Sequence, residues 1–244
     1  MVTDRGWITL GPDPAIAAWA TAALPVARRV LEQSDEAWRC GGTWFVGVDA
    51  LPNAADGTIG QTAFPWAALP LTPVALHPAQ LSTLRPGYPQ PSPDESAAAF
   101  RFRQNRDAAH LDGLLPVGPD RRRMIREPHA WILGLPLTQS QAAPLVVWED
   151  SHRIMAQALS AALNPHPPDT WGDIDITDAY QAARAEVFAT CTRRELRAAP
   201  GQAMLLHRMI IHGVAPWRGP ETTDRIIAYF RPLLPNVAAW LADP

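Results

Sequence analysis

The sequence predicts a mainly β domain with flanking helices, of jelly-roll or related sandwich type. Three observations carry this. Short apolar runs bounded by turn residues recur through the second half, as at Trp131 to Leu135 and Leu145 to Trp148. There are 26 prolines in 244 residues, about twice the usual ~5%, and proline breaks helix interiors and central sheet ladders. Helical texture is confined to two stretches, near residues 14–33 and 177–190.

Taken in order, Asp13-Pro14 reads as an N-cap with proline in the first turn. Ile16, Trp19, Ala23, Val26 and Val30 then recur at helical spacing, so a helix is expected over 14–33, with Pro25 as a potential kink and one face packed on a sheet. Thr43 to Val48 has strand character. Leu51 to Pro93 is rich in Pro, Gly, Ala and Asn, with four prolines between Pro86 and Pro93, and reads as a covering surface or lid. Phe100 and Phe102 alternate with Arg101 and Arg103 as in a strand. Ala203 to Ile211 and Arg225 to Phe230 read as two further strands, joined through the Gly- and Pro-containing segment 213–220.

Composition excludes several classes. All 21 basic residues are arginine, which removes a Schiff-base lysine, a Walker lysine and a kinase-type strand lysine together. A net charge of −3 offers no basic stripe for nucleic acid. Cys40 and Cys191 make neither a disulfide framework nor a CxxC site, so a reducing cytoplasm is the default. The longest mostly apolar run, Ala15 to Ala27, is too short to span a bilayer and lacks the flanks of a signal peptide. GxGxxG, GxSxG and HExxH motifs are absent.

The chemistry-bearing stretch is Ala109-His110-Leu111-Asp112-Gly113. In an extended chain, residues two apart face the same way, so His110 and Asp112 present an imidazole and a carboxylate to one side. Two histidines and one carboxylate with open positions left over is the ligand set of non-haem Fe(II) oxygenases. About a hundred residues on, the apolar run 201–211 ends in His212-Gly213. Arg225 then opens the next strand, and a guanidinium can grip a carboxylate in a bidentate fork.

With those residues in place, the sequence resembles the phytanoyl-CoA dioxygenase-like branch of the 2-oxoglutarate/Fe(II)-dependent oxygenases over roughly residues 98–234. The HxD, the Pro144 to Arg153 run, the Pro200 to His207 run and the distal His-Gly carry the likeness, although Glu149-Asp150-Ser151 stands where the family commonly has Pro-Gly-Ser. The resemblance implies a double-stranded β-helix (a cupin-like jelly roll) as core over 98–234 of a single domain, with 1–97 as its helical and loop-rich cover. It implies His110, Asp112 and His212 as iron ligands, Arg225 (with Arg231, on the same strand face, as fallback) as partner of the distal carboxylate of 2-oxoglutarate, and O2 as the third reactant. The implied reaction is hydroxylation of a small molecule with release of succinate and CO2. Relatives that halogenate have a small residue where this chain has Asp112, so hydroxylation or another oxidation is expected. The competing readings are a cupin-type metalloenzyme that does not use 2-oxoglutarate and a binding module that kept the fold without the chemistry.

Further candidates stand nearby. Gln104 and Asn105 lead into the HxD and are placed at the cosubstrate or substrate. In the charge run Arg121 to Glu127, the plainer reading is a solvated strand edge; the sharper one sends an arginine, Arg122 or Arg126, into the cavity to hold an anionic substrate group. Trp131 and Trp44 are candidates to line or close the pocket, with core packing as their plainer role. His207 and His152 read as structural, His129 as a possible pocket residue, and His77 and His166 as loop residues.

Overall fold

The computed structural model describes residues 4–93 and 95–242. In chain order the elements are β1 (Trp7–Leu10), α1 (Pro14–Gln33), β2 (Trp44–Leu51), β3 (Ala79–Leu84), α2 (Ala97–Asn105), β4 (Leu114–Val117), β5 (Arg122–Ile125), β6 (Trp131–Pro136), β7 (Leu145–Trp148), α3 (Ser151–Leu163), α4 (Thr177–Thr190), β8 (Arg193–Leu196), β9 (Ala203–His207), β10 (His212–Val214), β11 (Arg225–Phe230) and α5 (Val237–Leu241). All strand pairs are antiparallel. The large sheet runs β1-β9-β6-β11-β3-β2, the small sheet β10-β7-β8, and β4-β5 form a separate hairpin.

Period-two alternation assigns the faces. Ile227 and Tyr229 of β11, Ile132 of β6, and Met204 and Leu206 of β9 meet Leu145 and Val147 of β7 in one apolar layer between the two sheets. Their neighbours in sequence, Ala228, Phe230, Leu133 and Leu205, turn to the opposite face of the large sheet and pack on Ile16, Trp19, Ala23 and Ala27 of α1. On the far side of the small sheet, Val146 and Trp148 pack on Met155 and Leu159 of α3 and Val187 of α4. Each fully buried large apolar side chain in these layers contributes roughly 1.5–3 kcal/mol. α1 starts where the sequence places it: Asp13 accepts from Ala15 N at 2.7 Å and Ile16 N at 3.3 Å, and the helix runs unbroken through Pro25.

Four expectations are corrected. Residues 97–105 are helix: Ser96 caps the segment by accepting from Ala99 N, and the three alanines that follow outweigh the Phe/Arg alternation. The run 203–211 is not one strand. It breaks after His207, and His212 begins β10 in the other sheet. The stretch 51–93 is more than a cover, since β3 lies inside the large sheet between β11 and β2, and β1 to β3 all come from the first 97 residues. Finally, helix is not confined to 14–33 and 177–190: 151–163 is also helical, and His152 sits in its first turn. No described helix is long and apolar enough to cross a membrane.

Candidate metal centre

His110 reaches the site on a loop. Asp107 and Ala108 both adopt left-handed backbone conformations, uncommon for residues with a Cβ. The turn is held by Arg193, whose Nε and Nη2 donate to the two Asp107 carboxylate oxygens at 2.7 and 2.9 Å, and by Val214 N, which donates to the Asp107 carbonyl at 2.8 Å. His110 then pairs with His212 across an isolated antiparallel bridge: His110 N donates to His212 O at 2.9 Å, and His212 N donates to His110 O at 3.1 Å. Gly213 has a steric reason to follow His212, because a Cβ there would land on the Asp107 carbonyl oxygen and crowd Ala109.

The three side chains converge. His110 Nε2 lies 3.2 Å from Asp112 Oδ1, His212 Nε2 lies 3.7 Å from Asp112 Oδ2, and the imidazole centroids are 4.7 Å apart. One donor atom from each of the three lies within 4.8 Å of the others. Cis ligands on a first-row metal, each at 2.0–2.2 Å from the ion, are about 3 Å apart, so the set fits one ion with modest closure. The tautomers suit ligation. His110 Nδ1 faces the Ala108 carbonyl at 3.0 Å and His212 Nδ1 the Ile210 carbonyl at 3.1 Å, which assigns the proton to Nδ1 and leaves each Nε2 lone pair for a metal.

Electrostatics favour the ligating form of His212 and Asp112 and the protonated form of His110. Burial pushes the His212 imidazole down to about 4, so it is neutral at pH 7. At Asp112 burial favours the acid form, but His212, His110 and Arg231 outweigh it and hold the carboxyl well below its usual range. At His110 desolvation is outweighed by the bond to Asp112, and its titration lies above the ordinary value. The triad opens on a cavity of about 780 Å³.

The two candidate arginines separate. Arg231, just past β11, lines the cavity. Its Nη1 donates to Asp112 Oδ2 at 3.0 Å and its Nη2 to Gln80 Oε1 at 2.5 Å. Arg225, at the start of β11, is 3% exposed and shares the inward face of that strand with Ile227 and Tyr229; its Nη1 and the Tyr229 hydroxyl are both buried without a hydrogen-bond partner. Trp44 lines the cavity and donates to Ser82 Oγ at 3.1 Å.

Other candidates fall elsewhere. Gln104 and Asn105 are on the solvent side of α2, because the segment is a helix; Phe102 and Arg103 face the cavity instead. Arg122 and Arg126 point outward to Asp175 and Asp173, while Arg123, between them on β5, lines the cavity by strand alternation. Trp131 packs against the α1 layer. His129 is buried beneath the site with Nδ1 at 3.0 Å from the Arg231 carbonyl, which His77 Nε2 also approaches at 3.1 Å. The Arg193–Asp107 fork and the Gln80 contact were missed by sequence reasoning, since nothing local to Asp107, Arg193 or Gln80 announces a partner.

A two-sheet antiparallel β fold with a His-x-Asp and a distal histidine gathered at an internal cavity thus defines the molecule. No family model matches the chain, and no curated protein matches it. Among solved structures it is similar in fold to the epimerase SnoN in complex with Fe3+, alpha ketoglutarate and nogalamycin RO, at 15% identity and a TM-score of 0.50, covering 99% of this chain and 86% of that one. It is also matched with SnoK, a non-heme alpha ketoglutarate dependent carbocyclase from nogalamycin biosynthesis (11% identity, 99% and 88% covered, TM-score 0.46), and with EctD from S. alaskensis with bound Fe (17% identity, 93% and 72% covered, TM-score 0.46). At these identities the likeness is one of fold.

Proposed function

We propose that the chain is an Fe(II)- and 2-oxoglutarate-dependent dioxygenase on a double-stranded β-helix, of the phytanoyl-CoA dioxygenase-like branch, that hydroxylates an unactivated C–H bond of a small molecule. The observation that carries the reading is the convergence of His110, Asp112 and His212, with both Nε2 atoms freed by backbone carbonyls, at the wall of one cavity. The donor set is two imidazoles and a carboxylate, the facial arrangement suited to non-haem iron. The buried, unpartnered Arg225 Nη1 and Tyr229 hydroxyl fit a dicarboxylate cosubstrate, because each is a donor that burial leaves costly until an acceptor arrives.

Iron bound with 2-oxoglutarate and O2 would supply the oxidising power, with succinate, CO2 and an alcohol as products. The chain's own residues do the rest. His110, Asp112 and His212 would hold the metal. Arg225 anchors the distal carboxylate of the cosubstrate. Arg231 donates to Asp112 Oδ2 and so fixes the orientation of the carboxylate. Trp44, Ile132 and Leu145 give the cavity an apolar wall that keeps water from the reacting carbon. An acid at position 112 occupies the place a halide would need, which favours oxygen insertion. The free Cys40 and Cys191 accord with a reducing cytoplasm.

The test is succinate release from 2-oxoglutarate by purified protein, with and without Fe(II), beside Asp112→Ala. Iron-dependent succinate abolished by the substitution supports the reading. Turnover that survives Asp112→Ala, or that ignores iron, overturns it.

A further inference from the structure

The cavity's lining is unbalanced in charge. Five arginines line it: Arg39, Arg103, Arg123, Arg184 and Arg231. Against them stand two carboxylates, Asp112 and Glu127. Three of the arginines are committed, Arg231 to Asp112 at 3.0 Å, Arg103 to Glu95 at 2.6 Å and Arg39 to Glu36 at 3.7 Å. Arg123 and Arg184 have no carboxylate partner among the described residues.

Both are nonetheless held in place. The Arg184 guanidinium lies over two rings, 5.1 Å from the centre of Phe102 and 5.2 Å from that of Tyr180. Stacking on aromatic faces satisfies the flat of a guanidinium and leaves its N–H edge free to donate. Arg123 donates weakly to the Leu114 carbonyl at 3.4 Å, and its backbone is pinned by Thr177 Oγ1 at 2.7 Å. Its neighbours Arg122 and Arg126 turn outward and find Asp175 and Asp173, whereas Arg123 faces inward with no acid beside it among the described residues. The same cavity is also lined by the apolar side chains of Leu114, Leu115 and Ile132.

We infer that Arg123 and Arg184 form an oxyanion subsite that anchors the charged end of the substrate, a small molecule with an apolar body and a terminal carboxylate or phosphate. The inference rests on the dioxygenase reading for what happens at the other end, but anion recognition itself requires neither metal nor turnover. Two positioned guanidiniums in a partly enclosed cavity favour an oxyanion over a neutral polar group, since each bond is charge-assisted. The apolar wall would carry the body towards the His110–Asp112–His212 set. Arg225 is not part of this subsite: it lies buried at the start of β11, on the strand face it shares with Ile227 and Tyr229.

Calorimetric titration of the metal-free protein with octanoate, octyl phosphate and octan-1-ol tests it. The octyl body is constant and only the head group changes. At least one anion should bind about tenfold or more tighter than the alcohol, and the better of the two identifies the head group. Arg123→Gln and Arg184→Gln should each weaken the anion about tenfold and leave the alcohol unchanged. Arg184→Lys, which keeps the charge on the two rings, should retain most of the affinity and stands in if Arg184→Gln does not fold. Equal binding of alcohol and anions, absence of anion binding, or equal weakening of both by the substitutions overturns the inference. Fe(II) titration of the wild-type protein is run separately, so a failed metal site and a failed oxyanion subsite give different results.

Discussion

Arg231 Nη1 stands 3.0 Å from Asp112 Oδ2, joining two residues 119 positions apart, and the same guanidinium reaches Gln80 on β3. The carboxylate of the candidate metal centre is therefore fixed by a cation that the large sheet supplies.

Arg231→Gln is expected to weaken Fe(II) or Co(II) binding about tenfold, the scale on which outer partners of metal ligands act. Two effects compete. Loss of the positive charge draws a metal in, while loss of the bond lets the Asp112 carboxylate rotate. Anaerobic Co(II) titration followed by absorbance decides between them, and tighter binding would show that Arg231 repels the ion rather than orienting its ligand.

On the dioxygenase reading, Arg225→Gln should raise the apparent KM for 2-oxoglutarate by roughly a hundredfold, because it would remove the charge-assisted partner proposed for the cosubstrate's distal carboxylate. Metal affinity should hardly change, since Arg225 touches none of the three ligands. Steady-state succinate release against 2-oxoglutarate concentration measures the first and Co(II) titration the second. If Arg231→Gln raises that KM and Arg225→Gln does not, the two arginines exchange roles.

Gly213→Ala should cost more than an ordinary surface change, on the order of 2–4 kcal/mol, because the added methyl meets the Asp107 carbonyl and Ala109 backbone rather than a movable side chain. The damage falls on the His110–His212 bridge, so metal binding should be lost along with the melting temperature. Thermal unfolding with and without Co(II) reads both, and a variant that melts and binds like the wild type would refute the steric account.

Stability should fall as pH drops below about 6.5. Burial, aided by His152 and Arg208, lowers the His207 titration to about 3, and its Nδ1 accepts from Met209 N at 3.0 Å, a bond that protonation there would break. His152, whose ring centre is 4.8 Å away, is lowered in the same direction, first by burial. The unfolded chain takes up these protons near the ordinary value and the folded one resists, so stability present above pH 6.5 drains away as pH falls towards 3. From His207 alone the loss between pH 7 and 5 is of order 1–2 kcal/mol. Urea unfolding of His207→Gln at the two pH values should show a smaller difference than the wild type.

Much of the site was legible because its chemistry is local. His110-x-Asp112 and His212-Gly213 announce ligands by residue type, and β11 is read with its observed bounds because Arg225 to Phe230 is β-branched and aromatic between turn residues. β3 was not legible: Ala-Gln-Leu-Ser-Thr-Leu is short and follows a proline-rich run, and it becomes a strand through β11 and β2 on either side. The helix at 97–105 was hidden because Phe-Arg-Phe-Arg mimics a strand while its cap, Ser96, lies outside that pattern. The break after His207 is set by its Nδ1 bond to Met209 N, which no hydropathy pattern reveals. The Asp112–Arg231 pair depends on which strands become neighbours, and that is a property of the whole fold.

The bridge between His110 and His212 stitches the loop bearing Asp112 to the small sheet, whereas Gln80 belongs to the large one and Arg231 directly follows its strand β11. The centre is thus strung across a gap, and it works as a calliper on the spacing of the two walls. Any widening of the gap would pull the Asp112 carboxylate from the Arg231 guanidinium, so the shape of the triad depends on both walls keeping their distance.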